Sequence, residues 1–320
     1  MQTTLPVIRR LLRTVLSFHA FSKQNSSISK QFAVRFLTSE PVLPKSTIDS
    51  DEAVKFRQFA SVWWDQYGSL KPLHAMNRLR VPLIRDSLCP PHETSAPRDS
   101  KLTGDFAPLT GFSILDVGCG GGILAEPLAY LGAQVLGIDQ VSESINVATA
   151  HVQLTADRWK RTGRDPPRYE TIGLDAVAVR YPSHFDAVIM SELLEHVTDW
   201  ESMLCLANVC LKPGGMLFIT TLNQTRTSFL LGVVAAEYVL GIVPRGTHDW
   251  YKFIEPSRLQ GALIRNGFRP HQLLGLTYNI LTNQWSWTSN LCVNYAVTAV
   301  KTDDEKLKPS PPEKSGPNEQ

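Results

Sequence analysis

Between Phe112 and Asp139 the chain reads as a strand, a glycine-rich loop, the start of a helix and a second strand, an order that few folds accommodate. The apolar run Phe112-Ser113-Ile114-Leu115-Asp116-Val117 is that of a buried parallel strand. Gly118, Gly120, Gly121 and Gly122 follow, and the expectation is that they clear side chains from a place where a ligand approaches backbone. Ile123 to Tyr130 then begins a helix, and a second apolar strand, Gln134-Val135-Leu136-Gly137-Ile138, ends in Asp139. That acid stands about 20 residues beyond the first glycine, the spacing at which a carboxylate holds a ribose by its hydroxyls. Loop and acid together imply a nucleoside ligand.

The details exclude the commonest ones. A dinucleotide fingerprint GxGxxG would need glycine where Ile123 stands, and no Gly-Lys-Ser/Thr follows to cradle a triphosphate. Asp116-Val117-Gly118-Cys119-Gly120-Gly121-Gly122 instead resembles the first motif of S-adenosylmethionine-dependent methyltransferases. That cofactor has no pyrophosphate, so the resemblance implies a loop facing its methionine part while Asp139 takes the ribose.

With 320 residues, 43% hydrophobic and 19% charged, the chain suits one α/β domain with appendages. No run of about 18 apolar residues is present, so a spanning helix is not expected. Cys89, Cys119, Cys205, Cys210 and Cys292 form no CxxC pair, which argues for buried thiols in a reducing compartment; Cys119 fits the loop by size and has no catalytic part. Residues 1–39 contain no acid and carry Arg9, Arg10, Arg13, Lys23, Lys30 and Arg35 among serines. Leu5, Ile8, Leu11, Leu12, Val15 and Leu16 gather opposite the arginines on a helical wheel, the pattern of a mitochondrial transit peptide. Its removal takes six of 32 positive charges and none of 30 negative ones, leaving 26 against 30, a net of −4. A mildly acidic mature chain excludes a nucleic-acid footprint and disfavours a methyltransferase acting on RNA. Residues 301–320 read as a disordered tail, and Ser87 to Gly111 as a surface loop after an N-terminal helical segment, the two together filling 40–110.

From 111 to 300 the elements alternate. Strand 113–117, a helix near 122–131, strand 134–138, a helix near 142–160, a short strand at 168–173, strand 185–190, a helix near 199–210 and strand 215–221 predict an α/β fold. The sheet is expected to be doubly wound and Rossmann-like, mostly parallel with an antiparallel last strand, from a hairpin of 272–277 with 292–300. Its ligand would sit at the carboxyl ends of the strands. Within 223–254, Phe229 to Val243 is almost wholly apolar yet too short to span a bilayer. It reads either as a buried helix or as an insertion lining a tunnel for an apolar tail and resting on a membrane surface.

Five segments narrow the resemblance. They are Phe59-Ala60-Ser61-Val62-Trp63-Trp64-Asp65, Lys71-Pro72-Leu73-His74-Ala75-Met76-Asn77-Arg78-Leu79-Arg80, the glycine loop, Ser191-Glu192-Leu193-Leu194-Glu195-His196-Val197 and Gly246-Thr247-His248-Asp249-Trp250. In this order, over about residues 52–300, the chain resembles the ubiquinone biosynthesis O-methyltransferase family in its mitochondrial form. The resemblance implies methyl transfer from S-adenosylmethionine to a ring hydroxyl of 3,4-dihydroxy-5-polyprenylbenzoate and of demethylubiquinol. It implies a peripheral place on the matrix side of the mitochondrial inner membrane, lipid contact, and partners in a complex of ubiquinone-biosynthesis proteins. The alternative is a structural member of that complex with dispensable activity.

Site residues follow residue by residue. The family resemblance gives the cofactor carboxylate to Arg80, a position the residues alone leave open between Arg78 and Arg80. Gly118 and Gly120 offer backbone, Asp139 the ribose acceptor, and Ser191 a backbone contact; Asp175 reads as an adenine contact or a helix N-cap. A catechol hydroxyl is a poor nucleophile until it loses its proton, so a divalent metal or an imidazole is wanted beside it. Glu192, Glu195 and His196 stand three and four apart, on one face if the chain is helical there. The resemblance implies that they hold Mg2+. The same residues read as pocket floor, or as a site where His196 alone is the general base, and His248 is a further candidate near substrate.

Overall fold

A computed structural model of the chain describes residues 62–90, 107–225 and 250–302, all within one compact unit. The transit-peptide reading of 1–39, the apolar run Phe229–Val243, His248 and the tail from 303 lie outside these residues.

Among the described residues an N-terminal helix α1 (Lys71–Leu88) precedes a wound sequence of strands and helices. These are β1 (Ser113–Val117), α2 (Ala125–Tyr130), β2 (Gln134–Asp139), α3 (Ser142–Leu154), α4 (Ala156–Thr162), β3 (Arg168–Thr171), α5 (Leu174–Arg180) and β4 (Phe185–Ser191). Then come a 3-10 turn at Leu194–His196, α6 (Trp200–Cys210), β5 (Leu211–Leu222), a second 3-10 turn at Trp250–Lys252, α7 (Pro256–Arg265), β6 (Phe268–Asn279), β7 (Gln284–Thr288) and β8 (Asn294–Lys301). The strands form one sheet in the order β3-β2-β1-β4-β5-β8-β6-β7. The pairs from β3 to β5 are parallel, and β8 runs antiparallel between β5 and β6.

Both faces of the central strands are covered, as the largely apolar β1, β4 and β5 require. In β4, Val188 and Met190 join α5, α6 and α7 in one core, while Ala187 and Ile189 point the other way, with Ile114, Leu128 and Trp159. The alternation of a single strand thus feeds two cores. The expected antiparallel last strand is β8.

The finer expectations fare unevenly. The single helix foreseen over 142–160 is two, meeting at Thr155, whose hydroxyl donates to the His151 carbonyl (2.8 Å) and accepts from Trp159 Nε1 (3.1 Å). The strand expected over 215–221 starts earlier, β5 taking in Lys212-Pro213-Gly214-Gly215, and its pairing with β4 shifts register between Phe185 and Ala187. Helices α5 and α7 and the edge strand β7 were not anticipated, each being short.

Candidate functional site

The strand order reverses direction between β1 and β4, and a cleft opens there at the carboxyl ends of β1, β2 and β4. Asp139 closes β2 and lines this cleft. Its Oδ2 accepts from the Gly120 amide (3.0 Å) and its Oδ1 from the Val141 amide (2.8 Å). Burial pushes its pKa up, against the pull of these backbone donors. The carboxylate is therefore locked to the glycine loop before any ligand arrives.

The glycines also serve packing. Gly118 (φ 70°) and Gly120 (φ 53°) both occupy the left-handed region. A Cβ on Gly118 would stand 2.7 Å from the Leu193 side chain, and one on Gly120 would overlap the Trp63 indole. Gly118 and Gly120 still line the cleft, so backbone remains available there. The segment before α1 clamps the loop from outside. Trp64 Nε1 donates to the Gly121 carbonyl (2.9 Å), and its ring stacks on His151 at 3.4 Å between centroids; His151 Nδ1 is in turn hydrogen-bonded to Glu126 Oε1 (2.7 Å). Cys119 is buried in this loop, and burial raises its thiol pKa well above the ordinary value.

Arg80 is brought to the cleft by α1 and is 3% exposed. Its guanidinium donates to Asn77 Oδ1, to the Leu73 carbonyl and to Ser191 Oγ. Arg78, the other arginine considered, is exposed and does not line the cleft. Burial lowers the Arg80 pKa to about 10, with Glu192 and Asp116 raising it in opposition. Asp116, also 3% exposed, lines the same cleft, and its Oδ2 has no hydrogen-bond partner among the described residues. Burial raises the Asp116 pKa to about 7; Arg80 draws it down and Asp139 pushes it up. Sequence reading passed over this acid, although a charge inside an otherwise apolar strand was the available signal. Ser191 lines the cleft, and its hydroxyl takes the Arg80 hydrogen bond (2.8 Å) while pairing with Thr220 Oγ1 (2.7 Å).

Glu192, Glu195 and His196 do not share one helical face. Glu192 leaves β4 with φ 53°, and only Leu194–His196 makes a 3-10 turn, so the three-and-four spacing never enters a continuous helix. Glu192 and His196 line the cleft; Glu195 does not, and its Oε2 accepts from Thr221 Oγ1 at 2.7 Å. Among the described residues no three His, Cys, Asp or Glu side chains are grouped to hold a metal. The expected three-ligand centre is thus not assembled. Asp175 lies in the first turn of α5, outside the cleft lining, with Gly173 as N-cap.

The arrangement offers a ribose acceptor at one side of the cleft and a buried cation–acid pair, Arg80 with Asp116, at another. A nucleoside bearing a zwitterion satisfies both.

Comparison with known proteins gives the family. The family described as "Methyltransferase domain" matches residues 83–273. The mitochondrial ubiquinone biosynthesis O-methyltransferase of Mus musculus is 45% identical over 258 residues, 81% of this chain, and the match spans 66% of the mouse protein. The ubiquinone biosynthesis O-methyltransferase of Methylobacterium nodulans is 41% identical over 79% of this chain and 95% of its own length. A solved magnesium protoporphyrin IX methyltransferase from Synechocystis PCC 6803 overlays with a TM-score of 0.49 at 18% identity, covering 81% of this chain and 100% of that one.

Proposed function

The chain belongs to the ubiquinone biosynthesis O-methyltransferase family, and from that premise we propose that it methylates a ring hydroxyl of 3,4-dihydroxy-5-polyprenylbenzoate and, later, of demethylubiquinol, with S-adenosylmethionine as donor. The observation that carries this reading is the cleft that holds Asp139 together with Arg80 and Asp116. Asp139 takes the ribose hydroxyls. Arg80 meets the cofactor carboxylate, and Asp116 meets its ammonium. Gly118 and Gly120 bring backbone to the methionine part. Ser191 acts through its hydroxyl on Arg80 as well as by any backbone contact.

Transfer is an in-line displacement at the sulfonium methyl: an oxygen–carbon bond forms, the sulfur–carbon bond breaks, and S-adenosylhomocysteine leaves as a neutral thioether. The acceptor must lose its proton, and His196 takes it as general base; its 8% exposure on the cleft wall supports this reading. A family-implied Mg2+ fits part of the predicted trio. Glu192 Oε1 is buried without a hydrogen-bond partner among the described residues, an orphan that a hard cation would satisfy, and His196 shares its cleft. Glu192 and His196 would hold such an ion, whose charge would stabilise the phenolate oxygen. Glu195, engaged by Thr221, is not part of that pair.

Residues 1–39 address the protein to mitochondria, in keeping with the mitochondrial relative, and its place is peripheral on the matrix side of the inner membrane with other ubiquinone-biosynthesis proteins. Among the described residues no helix is long and apolar enough to cross a membrane. A purely structural role in that assembly is disfavoured by the formed cleft.

The test is direct. Protein lacking residues 1–39 is given S-adenosylmethionine, Mg2+ and a short-prenyl dihydroxybenzoate, and the product is identified by mass spectrometry. A mass gain of one methylene unit on the catechol is expected; cofactor binding without any transfer would overturn the substrate assignment.

A further inference from the structure

We propose that Asn77 is a positioning residue that presents Arg80, without neutralising it by direct contact, to the carboxylate of the bound cofactor. This rests on the reading of Arg80 given above.

A guanidinium has five N–H donors. In Arg80, Nε donates to Asn77 Oδ1 (3.1 Å), and Nη2 donates to the same oxygen (2.5 Å) and to the Leu73 carbonyl (2.9 Å). Nη1 donates to Ser191 Oγ (2.8 Å). Four donors are thus engaged, and one N–H on Nη1 is left. All three acceptors are neutral: an amide, a backbone carbonyl and a hydroxyl. Asp116 and Glu192 act on Arg80 only through space, with no direct hydrogen bond to it.

A buried arginine is ordinarily expected to carry a carboxylate partner in contact. Position 77 is where that partner would sit, because its side chain accepts from two of the guanidinium nitrogens at once. Asparagine there supplies the acceptor geometry of aspartate without its charge. The guanidinium is held still, and no carboxylate in contact with it occupies the place of an incoming anion.

The other half of the amide explains why asparagine stands here rather than another neutral acceptor. Asn77 Nδ2 donates to the Ile123 carbonyl (2.8 Å), directly after the glycine loop. This contact also fixes the amide's orientation, since a flipped group would set an NH2 against Arg80 and an oxygen against a carbonyl. One side chain therefore joins the carboxylate-binding cation to the loop that carries Gly118 and Gly120. Asn77 does not line the cleft, so it acts through Arg80 and the loop.

Calorimetry on four proteins with two ligands tests this. The proteins are the wild type, Asn77→Asp, Asn77→Ser and Arg80→Gln. The ligands are S-adenosylhomocysteine and its decarboxylated analogue, which keeps the ammonium but lacks the carboxylate. Asn77→Asp also gives up the donor to the Ile123 carbonyl, so it should weaken both ligands, but S-adenosylhomocysteine about tenfold more than the analogue, since a charge-assisted contact is lost for that ligand alone. Asn77→Ser, which stays neutral, should show a smaller loss of the same selectivity. Arg80→Gln should match Asn77→Asp. If Arg80→Gln discriminates between the ligands and Asn77→Asp does not, the positioning role is wrong while the carboxylate reading of Arg80 stands. Equal weakening of both ligands by Asn77→Asp reduces Asn77 to loop structure and likewise overturns the proposal. If Arg80→Gln itself fails to discriminate, the underlying reading of Arg80 falls, and the proposal with it.

Discussion

The Trp63 indole fills the space that a Cβ on Gly120 would have to occupy. Two residues 57 apart in sequence thereby specify each other: the loop must be glycine because the tryptophan is there, and the tryptophan is buried, at 6% exposure, because the loop has no side chain. The glycine loop is thus built against the chain that precedes α1.

Gly120→Ala should cost stability twice over, through the left-handed backbone (φ 53°) and through the collision with Trp63. The strain alone is of order 1–3 kcal/mol. Trp63→Ala should cost about 3–5 kcal/mol by truncation. Because the second change relieves the collision made by the first, the double variant should be more stable than the sum of the two losses predicts. Urea unfolding of the four proteins measures the coupling; simple additivity would show that the two residues do not constrain one another.

Asp139→Ala should lower S-adenosylhomocysteine affinity more than tenfold. Two ribose hydroxyls lose a charged acceptor, at about 1.5–3 kcal/mol each. The variant also releases the Gly120 and Val141 amides, so Asp139→Asn, which keeps an acceptor for one of them, should retain more of the fold. Calorimetry and thermal melts read the two effects separately. Unchanged affinity in the alanine variant would remove Asp139 from the cofactor site.

Asp116 sets a pH dependence whose sign can be worked out. Its folded pKa of about 7 lies above the ordinary value of 3.8, because burial penalises the charged form. Between those two values the folded state binds the extra proton, so this group's contribution to stability falls as pH rises through the interval and is constant above it. Asp116→Asn should flatten that segment of the stability profile. Cofactor binding works in the opposite sense: an ammonium beside Asp116 favours the carboxylate, so binding near pH 6.5 should release a proton. Calorimetry in buffers of differing ionisation enthalpy counts it, and an Asp116→Asn protein that releases as many protons as wild type would exclude Asp116 as the source.

How much of this was open to sequence reading depends on the range of the interaction. The strand–loop–helix–strand unit from 113 to 139 and the place of Asp139 were legible, since they rest on local periodicity and spacing. The break at Thr155 falls in a stretch with no glycine or proline to announce it. The Glu192–Glu195–His196 face failed because helical spacing was assumed where Glu192 has a positive φ, which only the packing of Leu193 over Gly118 and the Glu192 amide bond to the Thr220 carbonyl (2.9 Å) makes plain. The asparagine at 77 gave no warning, because its two partners come from an adjacent helical turn and from a loop 46 residues away.

The last prediction separates metal from base. If Glu192 and His196 hold a divalent ion against the acceptor oxygens, exhaustive EDTA treatment should abolish turnover while leaving S-adenosylhomocysteine affinity nearly intact. Glu192→Gln should behave like chelation, because an ion with so few protein ligands cannot spare its carboxylate. Glu195→Gln should keep most activity, since a glutamine oxygen still accepts from Thr221 Oγ1. If His196 works alone as general base, chelation changes nothing and His196→Ala is the severe lesion. Higher pH then partly rescues that variant by ionising the catechol unaided. Full activity in EDTA would leave Glu192 as cleft wall, and a dead Glu195→Gln would return Glu195 to the ligand set that sequence spacing first suggested.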